Sequence, residues 1–257
     1  MPEYLQAWKL FRSNSDENQA TAKFLLTQPA WPTHPIREIC DLGCGDGRLL
    51  AEVLRRCGYV QRVRLVDPDP ELLEEAETLI EQQFPTTNIL ALLNSVGDGW
   101  PRCAGESDVI LAVHLVYLLD DEELGHLLAA RPADRPLYVV LDAPTSVFTQ
   151  LWRWTADKYF RRAKRAHELL QAELGLDEIP TKSRFRSRIP KDLLSSHELS
   201  DWLLSILCYR NMLSDVPDDL RRKVSEIIDR HTDSSGHYVE CESVCYELPG
   251  RKAAVAG

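Results

Sequence analysis

The chain has 257 residues and a formal net charge of −10. That length can bury one large core, so a single domain spanning 1–257 is expected. The acidic balance argues against a nucleic-acid surface, because phosphate contacts need clustered Lys and Arg, and no apolar run reaches membrane-spanning length. Met1-Pro2-Glu3 does not open a signal peptide, and seven cysteines, an odd number set in apolar patterns, suggest reduced thiols and a cytoplasmic location. Cys40-x3-Cys44 and Cys241-x3-Cys245 lack a second pair, or histidines, at zinc-ligand spacing, so no metal is expected. A monomer is expected.

The first 35 residues predict a helical cap. Leu5, Trp8 and Phe11 recur at helical spacing, Ser13-Asn14-Ser15 interrupts, and Ala20 to Leu26 resumes. Asn14 is placed to cap this second helix, with Glu17 three residues later. A loop with three prolines, Gln28 to Pro35, ends the cap.

An alternating βα run fills residues 36–142. Strand one is Ile36 to Leu42 and its helix is Arg48 to Cys57, stopped by Gly58. Strand two is Val60 to Val66, closed by Asp67. Asp69 then caps a helix with Pro70 in its first turn and a body from Glu71 to Phe84. Strand three is Asn88 to Leu93, followed by a polar loop rich in glycine; strand four is Asp108 to Val113, a helix covers Glu122 to Ala130, and strand five is Leu137 to Leu141. Such alternation predicts a parallel sheet covered on both faces.

Residues 143–257 break that rhythm. Val147 to Leu174 reads as one long helical stretch broken by Gly175, and its Arg153, Lys158, Arg161, Arg162, Lys164 and Arg165 are expected to form a solvated face, with a basic partner surface as the other reading. Ser183 to Ile189 fits a strand with one wet face, Leu199 to Arg210 and Asp218 to Arg230 are helices, and His237 to Glu247 alternates as a final strand. These last strands are expected to extend the sheet at one edge, antiparallel.

Function is carried first by Asp41-Leu42-Gly43-Cys44-Gly45-Asp46-Gly47, a glycine turn between strand one and its helix. Glycine there removes Cβ atoms and permits positive φ, so a ligand can approach the backbone. A nicotinamide enzyme favours Gly-x-Gly-x-x-Gly, and a phosphate loop needs Gly-Lys-Ser/Thr; neither occurs here. The stretch closely resembles the first motif of class I methyltransferases. That resemblance implies a Rossmann-like α/β fold, S-adenosylmethionine (SAM) as methyl donor and S-adenosylhomocysteine (SAH) as product. It implies cofactor contacts from Asp41, Gly43 and Gly45, ribose contacts from Asp67 with Pro68 beside it, adenine contacts from Asn94, Ser95 and Asp98, and Val113 next to the sulfonium.

The acceptor is less defined. Ala112-Val113-His114-Leu115-Val116-Tyr117 lacks the Asn/Asp-Pro-Pro-Tyr/Phe run of enzymes that methylate base amines or glutamine side chains. Tyr4-x3-Trp8-x2-Phe11-x2-Asn14-x2-Glu17-x-Gln19, Leu65-Val66-Asp67-Pro68, Val113 to Tyr117, Thr145-Ser146-Val147-Phe148-x3-Trp152, Pro217-x-Asp219-Leu220-Arg221 and Gly236 to Tyr246 together resemble histamine N-methyltransferase and its relatives. This resemblance implies a small-molecule amine substrate, contacted by Glu17. The relatives' asparagine on the last strand is Glu242 here, their glutamine after strand four is His114, and a cofactor-binding glutamine is Leu72. Two carboxylates, Glu17 and Glu242, facing one pocket imply a cationic acceptor that neutralises them. His114 is the candidate base, with Tyr117, Phe148 and Trp152 as an aromatic wall. O- or carboxyl-methylation of a small metabolite, and a non-catalytic binding protein on the same fold, are the other readings.

Overall fold

The computed structural model describes residues 13–95, 100, 104, 106–129, 131–132, 134–192 and 218–249. The helix expected around Leu5 to Phe11, the glycine-rich loop containing Asp98 and the helix expected at Leu199 to Arg210 lie outside them. In chain order the elements are α1 (Glu17–Leu25), β1 (Glu38–Leu42), α2 (Arg48–Cys57), β2 (Arg62–Asp67), α3 (Pro70–Gln83), β3 (Asn88–Leu93), β4 (Val109–Val113), α4 (Asp121–Ala129), β5 (Leu137–Asp142), α5 (Val147–Thr155), α6 (Asp157–Leu174), β6 (Arg184–Pro190), α7 (Asp218–Arg230) and β7 (Tyr238–Leu248).

The strands form one sheet of order β3-β2-β1-β4-β5-β7-β6. β1 to β5 run parallel, while β7 pairs antiparallel with both β5 and β6. The fold is thus a Rossmann-like sheet with an antiparallel last strand, as the alternating βα pattern and the departure after residue 142 predict. Strand residues split by parity between two cores. Ile39, Val109, Leu111, Tyr138 and Val140 pack with α1, α2 and α3 on one face. Cys40, Leu42, Ile110, Ala112, Val139 and Leu141 pack with α4, α5, α6 and α7 on the other. Both faces of the central strands are covered, so β1 and β5 are buried at every position.

Local chemistry explains several boundaries. Asp69 caps α3, its carboxylate accepting from the Glu71 and Leu72 amides, with Pro70 in the first turn. α6 stops at Gly175, whose left-handed φ of +63° lets the chain turn back. On the outer face of the β6–β7 pair, Arg184 bonds Glu242 at 3.0 Å and Arg186 bonds Glu240 at 2.8 Å. These cross-strand pairs account for the wet face of β6 and put charge on a sheet edge.

Two expectations are corrected. Asn14 does not cap α1. The N-terminal position is Asp16, and the Glu17 amide donates to Ser15 Oγ instead. Asp16 is used elsewhere: its carboxylate accepts from the Arg188 amide at 2.5 Å, and its own amide donates to the Arg188 carbonyl. A tertiary anchor to β6 has replaced the local cap. The long helix over 147–174 is two helices, broken at Ala156 (φ −146°, ψ 61°). The Ala156 amide still returns to the Trp152 carbonyl, and Asp157 sits in the first turn of α6, where an acid favours a helix start.

Candidate functional site

The order of the sheet reverses between β1 and β4, and the crevice beyond their carboxyl ends is where open α/β sheets bind ligands. The glycine turn lies there. Gly43, Gly45 and Gly47 have φ of +69°, +55° and +74°. At Gly47 a Cβ would stand 2.9 Å from the Ala76 Cα and Cβ, so the loop closes directly on α3. Gly47→Ala is therefore expected to destabilise the fold by about 2–4 kcal/mol, combining a left-handed alanine with a clash against helix backbone. Chemical denaturation measures it.

Asp67, at the end of β2, is buried and holds the turn from beneath. One carboxylate oxygen accepts from the Gly45 amide and the other from the Asp69 amide, each at 2.9 Å. Burial raises its pKa, and the two amide bonds oppose that rise. Each oxygen has a further lone pair for a hydroxyl donor. Asp41 is buried at the end of β1. Asn94 follows β3, its amide bonded to the Asp67 carbonyl, with Ser95 exposed beyond it. Pro68 is exposed beside Asp67, Leu72 is half-buried in the first turn of α3, and Val113 ends β4 half-buried. A glycine turn, buried acids at two strand ends and an amide side chain after β3 suit the methionine, ribose and adenine parts of SAM. Asp67→Ala is expected to weaken SAH binding by about 10- to 100-fold, since it removes both the turn's support and two acceptors; calorimetry with SAH tests this.

Across the crevice three side chains from distant parts of the chain meet. His114 follows β4, Glu17 opens α1, and Asp142 ends β5. The His114 Nε2 is 3.2 Å from Glu17 Oε1, and its Nδ1 is 3.8 Å from Asp142 Oδ2. The His114 amide donates to the Val140 carbonyl, which ties the turn after β4 to β5. His114 has φ +53°, the only positive φ at a non-glycine among the described residues. Burial pushes Asp142 up to about 6; His114 and the hydroxyl of Ser146 act against that, and Glu17 acts with it. Cys241 on β7 faces the same cluster: burial, Asp142 and Glu17 all keep its thiol protonated.

Asp142 is held firmly. Ser146 Oγ donates to Asp142 Oδ1 at 3.2 Å. His167 Nε2 lies 2.9 Å from the Asp142 carbonyl, and His167 Nδ1 lies 2.7 Å from the Tyr246 hydroxyl. A carbonyl only accepts, so Nε2 carries the hydrogen and Nδ1 accepts from Tyr246. Burial lowers the His167 pKa to about 4, which keeps this ring neutral.

The sequence-predicted residues are thus brought together unevenly. Glu17 and His114 meet. Tyr117 adjoins His114 with ring centroids 6.1 Å apart, and Trp152 stands edge-on to Tyr117 at 5.0 Å. Phe148 and Trp152 are buried in the larger core. Glu242 does not offer a free charge: Thr145 Oγ1 donates to it at 2.6 Å and Arg184 pairs with the same oxygen. The second carboxylate facing His114 is Asp142. Its signal in the sequence is the one that marks Asp67, an acid closing an apolar strand, but the pattern reading stops strand five at Leu141.

No curated protein matches the chain in sequence. Residues 39–131 match the family model of a methyltransferase domain. Among solved structures, the plantazolicin methyltransferase BamL, in complex with a triazolic desmethylPZN analogue and SAH, aligns with a TM-score of 0.53 at 13% identity, over 97% of this chain and 90% of that one. The YcgJ protein from Bacillus subtilis aligns with a TM-score of 0.54 at 13% identity, over 92% of this chain and 100% of that one. The fold, with its glycine turn after β1, is that of the class I SAM-dependent methyltransferases. The matched domain runs from β1 to just beyond α4, so Glu17 and Asp142 lie outside it.

Proposed function

We propose that the protein transfers a methyl group from SAM to a nitrogen of a small cationic amine. The observation that carries this reading is the meeting of the Glu17 carboxylate with the His114 imidazole at 3.2 Å, at the carboxyl edge of the sheet beside Val113. Glu17 supplies a charge-assisted bond for an ammonium, and His114 takes the proton that blocks the nitrogen lone pair. SAM supplies a methyl already activated on a sulfonium. The chain's remaining task is to hold the amine in line with it, and orientation of this kind is worth about 7–11 kcal/mol of barrier.

Charge favours an amine over the carboxyl-methylation reading. A substrate carboxylate would approach both Glu17 and Asp142, and like charges in a buried pocket are costly. An ammonium is attracted by the same two groups. Tyr117, next to His114 and backed by Trp152, gives the amine an aromatic surface. In this reading Glu242 anchors the segment after β5 through Thr145 and contributes no charge to the acceptor. The motif likeness to histamine N-methyltransferase supports the amine class, while His114 and Glu242, in place of the relatives' amide side chains, argue for a different acceptor from histamine.

The test is acceptor screening by mass spectrometry, with SAM and a panel of mono-, di- and heteroaromatic amines, phenols and carboxylic acids. Amines alone should gain a methyl group. Gain only by phenols or acids refutes the amine reading, and failure to bind SAM in calorimetry refutes methyl transfer altogether.

A further inference from the structure

Asp142 is the member of the cluster that neither the sequence patterns nor the matched domain accounts for. We propose that Asp142 is a positioning residue for His114, its carboxylate facing Nδ1 and holding the ring with Nε2 turned towards Glu17 and the amine. This role rests on the reading of His114 as the group that takes the acceptor's proton.

The chemistry requires such a partner. For Nε2 to accept a proton, the neutral ring must carry its hydrogen on Nδ1. A carboxylate at Nδ1 stabilises that tautomer and also the imidazolium that forms next. The proton leaves the ammonium nitrogen for Nε2. The amine is left neutral with its lone pair free, and the positive charge moves to a ring lying between Asp142 and Glu17. Release of that proton to solvent restores the starting state.

Three observations carry the assignment. The Asp142 Oδ2 lies 3.8 Å from His114 Nδ1, while Glu17 Oε1 lies 3.2 Å from Nε2. The His114 backbone, at φ +53°, costs about 1–3 kcal/mol, so the surrounding structure is holding this side chain in a position that local preference does not favour. Asp142 is itself held, through Ser146 Oγ, through His167 on its carbonyl and through its strand pairing with Ser243. A buried carboxylate is an expensive element to fix so carefully if it serves packing alone.

The titratable groups that the described residues set against Asp142 come from every neighbouring element. They are Glu17 from α1, His114 from the turn after β4, Cys241 from β7 and His167 from α6. His167 touches only the backbone carbonyl and Cys241 stays protonated. Glu17, itself a carboxylate, is repelled by Asp142, which leaves His114 as the group that its charge attracts.

The experiment is side-chain nitrogen NMR of the histidines in the full chain, ligand-free and saturated with SAH, followed through the neutral pH range. His114→Gln identifies the resonance. In Asp142→Asn the midpoint of the His114 titration should fall by about one pH unit or more, and the neutral ring should shift towards hydrogen on Nε2, which Glu17 then favours unopposed. Asp142→Glu should restore most of both. Unchanged SAH affinity certifies that each variant is folded. If Asp142→Asn fails that check, Ser146→Ala, which frees Asp142 to turn, takes its place and should shift the neutral ring in the same direction. A His114 titration and tautomer unaffected by these changes overturns the proposal. No acceptor is used, so the two readings fail separately. A coupled titration with no amine methylated removes the amine reading, and an uncoupled titration with amines methylated removes the role of Asp142.

Discussion

Glu17→Gln is expected to lower kcat/KM for a cationic amine by roughly 30- to 150-fold, the loss of about 2–3 kcal/mol from one charge-assisted bond. Gln keeps the shape of the side chain and removes its charge. Glu17 stands in the first turn of α1 and is mostly buried against His114. The effect should fall on both KM and kcat, because the ammonium loses its counter-charge and His114 loses one of the two carboxylates that stabilise its charged form. SAH affinity should not change, since Glu17 is assigned to the acceptor's charge and not to holding the cofactor. Steady-state kinetics with a cationic amine and a neutral isostere is the measurement. An equal loss for the neutral compound, or a parallel loss of SAH binding, would show that Glu17 acts through the fold.

Asp142→Asn should act in opposite directions on stability and turnover. Burial raises the folded-state pKa of Asp142 from 3.8 to about 6. A carboxyl raised in this way binds its proton more tightly folded than unfolded, so stability falls as pH rises between those two values. Above them the native chain carries a cost of about 3 kcal/mol, from a shift of roughly two units at 1.36 kcal/mol each. Asn carries no such cost and can still accept from Ser146. The variant should therefore melt about 6–12 °C higher at neutral pH, with the gap closing in acid as wild-type Asp142 takes up its proton. Turnover of the wild type should fall as pH drops through about 6, where Asp142 is neutralised, and the variant should be slow at every pH. A gain in stability accompanied by a loss of activity is the usual sign of a residue kept for function. Thermal melts at acid and neutral pH decide it: a variant less stable than wild type at neutral pH would mean that Asp142 serves the fold.

The glycine turn and the acid-closed strand two are legible in the sequence because their geometry is local. Positive φ needs glycine at particular positions, and a strand end is marked where an apolar run meets a charge, as at Val66-Asp67. The helix Arg48 to Cys57 and the strand Asn88 to Leu93 read correctly to the residue for the same reason, since each has its own period and its own stop. The break at Ala156 escapes such a reading. Thr155-Ala156-Asp157 contains no helix breaker, so no residue type marks the place.

The acceptor side divides differently. Sequence alone determined the residue types available for it, a glutamate near the start, a histidine after strand four, aromatics and an acid on the last strand. The tertiary structure decided which of them lie together. It brought Glu17 against His114, supplied Asp142 from β5 as the second carboxylate, and turned Arg184 across β7 to neutralise Glu242. The physical reason is that a charge is defined by its partner. Partners chosen by sheet order and helix packing leave no period, spacing or composition in the chain from which they can be read.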